Sequence, residues 1–379
     1  MFPVIQPLVA EDVSDRTSGI HSLAERVAYR YAAAERNHRF RFLFHPLRLL
    51  TEPGFVDRYL RGENPFPRSV EIDPSNACNH DCGFCIYHSM HQPGRREQLP
   101  RERLFSLIDE LRDLGCRSIL FVGGGEPMTH PAVVDAIEQA AGHGIACGLV
   151  TNVSLGDPDK WLRLKRAATY VRFSFDAATR ETHLALHRHD DFERIVANLR
   201  ALARVPGPCT VGAGYFINRE NVHEIVDNAR LVKSSGADYI QFKTYSGIPL
   251  DAALHEQVLT AIDHALDLAD ESFDVHVAER IFENEAFQVR GYTRCHFQAM
   301  KTIVNADGSV YLCAQKRTDP NGRVGNVHAH SLAEIWESAH RKSVADNLDL
   351  VSCPYCVHDR QNRLIEFLGH FTAPHRGFY

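Results

Sequence analysis

The sequence predicts an α/β fold built on six parallel strand–helix units, with a helical arm before them and a small cysteine-bearing domain behind. Three observations predict it. Short apolar runs alternate with amphipathic stretches six times between Ser69 and Lys243. Strict alternation of this kind implies parallel strands joined by right-handed crossovers. Six units are too few to close an eight-fold barrel. Lastly, seven of the ten cysteines fall into two groups: Cys78, Cys82 and Cys85 after the first apolar run, and Cys295, Cys313, Cys353 and Cys356 near the end.

Composition narrows the class. The chain has 379 residues, 44% hydrophobic and 24% charged, with a formal net charge of −6. That length supports one large core plus an appended domain, and the acidic balance gives no electrostatic case for a nucleic-acid partner. No apolar run approaches the roughly 20 residues of a membrane span. Met1-Phe2-Pro3-Val4 opens no signal peptide, so ten cysteines favour metal or redox chemistry over disulfides, in a cytoplasmic setting.

Taken in order, residues 1–67 read as the arm. Ile20, Leu23, Val27 and Tyr31 fall at helical spacing within Ser18–Glu35. His38–Phe44 alternates basic and aromatic residues before Pro46 and Pro53 interrupt the pattern. A leader-binding module would need several strands, and none is visible there. Residues 68–246 carry the six units. The strands are expected at Ser69–Asp73, Ser118–Val122, Ile145–Val150, Tyr170–Phe175, Thr210–Ile217 and Tyr239–Lys243. Helices are expected at Arg101–Leu114 (Leu104, Leu107, Ile108 and Leu111 on one face), at Pro131–His143, before Arg204 and at Val222–Ser234. Residues 247–290 read as a linker around one helix, Asp251–Asp270, and residues 291–379 as the last domain. Parallel βα folds place their chemistry at the C-terminal ends of the strands.

Cys78, Cys82 and Cys85 stand at C-x3-C-x2-C spacing directly after the first strand. A [4Fe–4S] cluster wants one ligand per iron, so three thiolates leave one iron open. A zinc loop completed by His80 or His88 is the plainer alternative. Gly123-Gly124-Gly125-Glu126-Pro127 follows the second strand; it suits either a tight turn or close approach to a ligand. Together the two motifs resemble the radical S-adenosylmethionine (SAM) family over about residues 69–246. The resemblance implies an open, partial (β/α)6 barrel, with SAM chelating the open iron through its methionine amine and carboxylate. It places Gly124, Gly125 and Glu126 at the methionine amine, and Phe84 against the adenine. It also sets Thr151-Asn152 beside the cofactor, and Ser174, Asp176 and Asn218 at its carboxylate or ribose. For Ser174 and Asp176, capping of the following helix stays open. Lys243 and Tyr245 share a face of the sixth strand, where they can orient a hydroxylated or anionic substrate; a surface ion pair is the alternative for Lys243.

Cys295, the Asp307-Gly308 hairpin, Cys313 and Cys353-x2-Cys356 supply four thiolates, enough for zinc or a cluster. The arrangement resembles the SPASM and twitch extensions of radical SAM enzymes, and no cysteine follows Cys356. That implies one auxiliary [4Fe–4S] cluster. Cys116 and Cys209 precede the second and fifth strands, at the N-terminal, non-catalytic rim, and Cys147 lies mid-strand as a small hydrophobe, so none is placed to return a hydrogen atom to a substrate radical. The resemblance therefore implies a radical SAM oxidoreductase fed by an external donor such as a flavodoxin or ferredoxin. Its substrate is expected to be a sugar, aminocyclitol or nucleoside of a natural-product (antibiotic) pathway, oxidised with the auxiliary cluster as electron acceptor. Peptide cross-linking, sugar epimerisation, decarboxylation and a non-catalytic zinc-stabilised protein are the alternatives.

Overall fold

The apolar runs become strands at the expected places. The computed structural model describes residues 22–33, 46–87, 96–245, 248–285, 289–351, 353 and 355–370. Strands β1 (Ser69–Ile72), β2 (Ser118–Phe121), β3 (Ala146–Thr151), β4 (Tyr170–Ser174), β5 (Thr210–Phe216) and β6 (Tyr239–Lys243) lie side by side in sequence order, all parallel. Period-two alternation sorts their side chains. Val171, Phe173, Val211, Ala213, Tyr215, Ile240 and Phe242 are fully buried on the outer face. Arg172, Ser174, Phe216 and Lys243, on the inner face, keep part of their surface accessible.

Two features differ from the sequence reading. The region read as a linker contains β7 (Asp274–Val277), parallel to β6. It is short, and its polar residues Asp274 and His276 are buried, so it lacks the polar-out pattern that marks a strand in sequence. The expected hairpin forms as β8 (Lys301–Val304) and β9 (Ser309–Tyr311), turning at Gly308 with φ 78°. It does not stand apart, however: β8 pairs in parallel with β1, Ser69 opposite Lys301. With β10 (Arg323–Asn326), the sheet runs β10-β9-β8-β1-β2-β3-β4-β5-β6-β7. The C-terminal cysteines thus hang from the same sheet as the first group.

Helices cover the outer face. Arg101–Asp113 buries Leu104, Leu107, Ile108 and Leu111 as expected. Pro158–Ala167 went unread, although Asp157 caps it through the Lys160 N–H (3.0 Å) and Pro158 opens it. The last helix, Asp359–His370, also unread, packs Ile365 with Phe55, Val56 and Met300. In the arm, Leu23–Ala33 is helical with Val27 buried, and Arg30 pairs with Asp267 at 2.7 Å and with Asp263. Pro46 and Pro53 begin short helices where the sequence suggested breaks. Ile20, His38–Phe44, His88 and Ser246 lie outside the described residues. No helix among the described residues is long and apolar enough to cross a membrane.

Candidate active site at the strand ends

The loop after β1 is seated on the glycine turn after β2. A Cβ on Gly125 would lie 2.2 Å from the Ala77 carbonyl oxygen, and one on Gly123 2.5 Å from that of Gly125. Glycine is needed here first for chain against chain, before any ligand arrives. Three backbone contacts fix the join: Gly125 N–H to Ser75 O (3.0 Å), Glu126 N–H to Ala77 O (2.9 Å) and Gly124 N–H to Asp73 Oδ2 (3.0 Å). The buried Glu126 carboxyl accepts from the Asn152 N–H (2.7 Å), the Thr151 hydroxyl (2.5 Å) and the Met128 N–H (3.0 Å). Burial pushes its pKa up to about 6 against those three donors. Asn152 also donates to Asn79 Oδ1 in the cysteine loop at 2.9 Å. The next residue, Val153, is held at φ 62°, a region costly for a β-branched side chain. The structure therefore brings Gly124, Gly125, Glu126, Thr151 and Asn152 into one interlocked turn beneath the cysteines.

Cys78 is exposed, whereas Cys82 and Cys85 are half-buried. Sequence reasoning missed what stands behind them. Cys82 Sγ lies 3.1 Å from His187 Nδ1, and the buried Asp191 carboxylate bonds both His183 (2.9 Å) and His80 (3.0 Å). His183 stacks on His187 with centroids 4.5 Å apart. Two histidines one helical turn apart, ahead of Asp191, were the available signal. His80 Nε2 bonds Asp191 and ties the cysteine loop down, while its Nδ1 makes no hydrogen bond among the described residues; His80, Cys82 and His187 offer ligand atoms within 4.8 Å of one another, the spacing that the zinc alternative would use. Among the described residues, no three of the seven sulfurs come mutually within 4.8 Å. A single zinc with Zn–S near 2.3 Å would gather them more tightly, while a cluster with one iron per thiolate suits a wider set.

The remaining candidates separate. Asp176 does not cap a helix: it accepts the Phe216 N–H and lies 3.4 Å from His187 Nε2. Thr179 takes the capping role. Ser174 faces the interior opposite Gly214. Asn218 Oδ1 closes a local turn through the Glu220 and Asn221 N–H groups (2.9 and 3.1 Å). Phe84 stacks on Phe216 (6.1 Å) and meets His187 edge-on (5.4 Å). The Tyr245 hydroxyl donates to the Phe84 carbonyl, so Tyr245 braces the cysteine loop and leaves Lys243 as the inward-facing cation of that pair.

Residues 72–232 match the model of the radical SAM superfamily, and residues 295–357 that of the SPASM iron–sulfur cluster-binding domain. The chain is a radical SAM protein. It is 27% identical over 327 residues to mycofactocin maturase MftC of Mycobacterium tuberculosis, covering 81% of this chain and 79% of the relative. It is 23% identical over 297 residues to the AdoMet-dependent heme synthase of Methanosarcina barkeri, covering 72% and 83%. In fold it resembles Streptococcus suis SuiB bound to precursor peptide SuiA, with TM-score 0.61, 16% identity and coverage of 82% and 75%. It also resembles anSMEcpe with bound AdoMet, with TM-score 0.56, 19% identity and coverage of 74% and 83%.

Like its family, this radical SAM protein takes SAM and a [4Fe–4S] cluster, and its SPASM domain takes auxiliary iron–sulfur. Burial pushes the Cys295 thiol up to about 12 and that of Cys356 to about 11; Cys313, Cys353 and Cys356 lie close enough to Cys295 to raise it further. Four residues beyond Cys313, the fully buried Arg317 pairs with Glu71 and Asp73, each at 3.1 Å. Lys301 completes the network on Glu71.

Burial pushes the Asp73 carboxyl up to about 7 from 3.8, against the pull of Arg317. Folding therefore binds this proton more tightly than the unfolded chain does. Its stabilising contribution is full below about pH 4 and is lost as pH rises through 7. Asp73→Asn should flatten the fall in thermal unfolding temperature between pH 5 and 8. An unchanged slope would mean that Asp73 is ionised throughout.

Proposed function

We propose that this radical SAM protein removes a hydrogen atom from a peptide substrate presented at the strand ends, in a net oxidation. The observation that carries the reading is the convergence of the cysteine loop, the Glu126 turn and an inner face bearing Ser174 and Lys243 on one end of the sheet. When bound, the cluster and SAM supply a 5′-deoxyadenosyl radical. Cys78, Cys82 and Cys85 would hold that cluster, and Cys295, Cys313, Cys353 and Cys356 the auxiliary one. Glu126 is placed to receive the methionine ammonium, its carboxyl already oriented by Thr151 and Asn152. Ser174 offers its hydroxyl from the inner face, and Phe84 and Phe216 offer an apolar wall that shields the site from water. The Lys243 side chain positions the substrate.

A peptide is preferred over the sugar, aminocyclitol or nucleoside expected from sequence, which finds no support among the relatives. MftC is a maturase, and SuiB was solved with a precursor peptide. The substrate loses one hydrogen atom to the radical, one electron that the auxiliary cluster would accept, and one proton to solvent, so each 5′-deoxyadenosine formed should match one two-hydrogen oxidation. The test is anaerobic protein carrying about eight iron and eight sulfide per chain, four per cluster, given SAM, dithionite and a peptide panel. Peptide-stimulated 5′-deoxyadenosine with peptide products two mass units lighter is expected. Cofactor cleavage indifferent to every peptide but stimulated by a sugar or nucleoside would reverse the choice.

A further inference from the structure

The inner face carries more positive charge than the protein neutralises. Arg172 on β4 and Lys243 at the end of β6 meet over Gly214, and Arg280, just after β7, is bound to Thr244, the residue that follows Lys243. The Lys243 Nζ lies 3.2 Å, and Arg172 Cδ 3.6 Å, from the place a Cβ on Gly214 would occupy. Their partners are neutral. Arg172 donates to Gln241 Oε1 at 3.1 Å, and Arg280 to the Thr244 carbonyl and hydroxyl. Among the described residues the Lys243 ammonium has no hydrogen bond or ion pair. The nearest acid, Asp176, is engaged by the Phe216 N–H and by His187. Burial, reinforced by Arg172, drives the Lys243 ammonium well below its ordinary range, and burial lowers Arg280 to about 10. All three residues are half-buried.

We propose that Arg172, Lys243 and Arg280 form a recognition site for a carboxylate group of the substrate. The proposal rests on the strand ends being the substrate site, as the proposed function holds. The guanidinium donors not spent on Gln241 and Thr244, together with the ammonium, suit the two oxygens of a carboxylate, which would supply the negative charge that Gln241 and Thr244 do not. Gly212 and Gly214 stand opposite Arg172 and Ser174 in register; the Tyr239 ring fills the space over Gly212, and Lys243 and Arg172 lie over Gly214, where a larger residue would displace them. The cofactor's own carboxylate competes for this assignment. Ser174, on the same face of β4 as Arg172, is among the residues that the family resemblance sets at that carboxylate, so the test is made with SAM already bound. The ligand-free state bears the desolvation of an unpaired cation, and an incoming carboxylate offsets it.

The test uses anaerobic holoenzyme saturated with SAM, so that the cofactor carboxylate is already in place. Glutarate and its neutral diamide, glutaramide, are the probes, and the thermal unfolding temperature is the readout. Glutarate should raise it by about 2 °C or more and glutaramide should not. Lys243→Met should abolish the glutarate response and, without probe, unfold at a higher temperature than wild type, because the unpaired charge is gone. A Lys243→Met chain that unfolds earlier than wild type would make Lys243 a structural cation and overturn the proposal. Equal responses to the two probes, or no response to glutarate, would overturn it too. A more than tenfold loss of SAM affinity in Lys243→Met would assign the cations to the cofactor instead. None of these readouts requires turnover, so a failure of the peptide reading would show separately, in the 5′-deoxyadenosine assay.

Discussion

Cys82→Ala is expected to leave a folded chain that makes no 5′-deoxyadenosine above background and retains about four iron atoms, those of the auxiliary set. The middle cysteine of the loop is the hardest to replace. Its nearest heteroatom neighbour is His187 Nδ1 at 3.1 Å, and the His187 Nε2 side faces Asp176 at 3.4 Å. An imidazole braced that way is a harder ligand than thiolate and cannot move to the vacated position without leaving Asp176 behind. The fold should survive, because the loop is held by Gly125, Glu126, Asn152 and the His80–Asp191 bond, none of which uses the sulfur. Far-ultraviolet circular dichroism matching wild type, alongside halved iron and absent 5′-deoxyadenosine, is the expected set. Cofactor cleavage at the wild-type rate would place the chemistry elsewhere in the chain.

Much of this architecture can be read from local signals. Leu104, Leu107, Ile108 and Leu111 mark a helix face by spacing alone, and the six apolar runs mark six strands, because each signal lies within a dozen residues. The two cysteine sets and the glycine turn are legible for the same reason. What escapes is set by distance along the chain. Nothing in Asp274–Val277 announces that Asp274 and His276 will be buried beside β6, and nothing in Lys301–Val304 says that the hairpin will pair with β1. His183, His187 and Asp191 read as ordinary helix residues until the loop bearing His80 and Cys82 folds back onto them. Tyr245 was read as facing substrate because alternation gives a face but not a partner; its hydroxyl finds the Phe84 carbonyl 161 residues away. The cations of the inner face show the same limit. Lys243 alone suggests a surface ion pair, and only its neighbours Arg172 and Arg280 reveal a charge without a counterion.

Arg317→Met is expected to destabilise the chain by about 3–5 kcal/mol and to weaken SAM binding as well, though Arg317 lies outside the Glu126 turn proposed to receive SAM. The guanidinium is completely buried between two carboxylates, 3.1 Å from each, and stacks over the Tyr87 ring at 4.8 Å. Lys301 and Arg317 together hold Glu71 below its ordinary range even though burial pushes the other way. Methionine would fill much of the space but leave Asp73 and Glu71 facing one cation, Lys301. The loss is largest above about pH 7, where the Asp73 carboxyl is ionised beside Arg317 and removing the guanidinium leaves that charge buried and uncompensated. The route to SAM is covalently short. Asp73 closes β1 and accepts the Gly124 N–H, so a carboxylate released on one side loosens the glycine turn that aims Glu126. Arg317→Lys should recover only part of the stability, since an ammonium cannot fork between two carboxylates. Asp73→Asn in the Arg317→Met background should recover a further part, a coupling that separates charge burial from lost packing. If Arg317→Met instead unfolds at the wild-type temperature and binds SAM as tightly, the join between the SPASM hairpin and β1 is held by strand pairing alone, and the ion network contributes nothing to it.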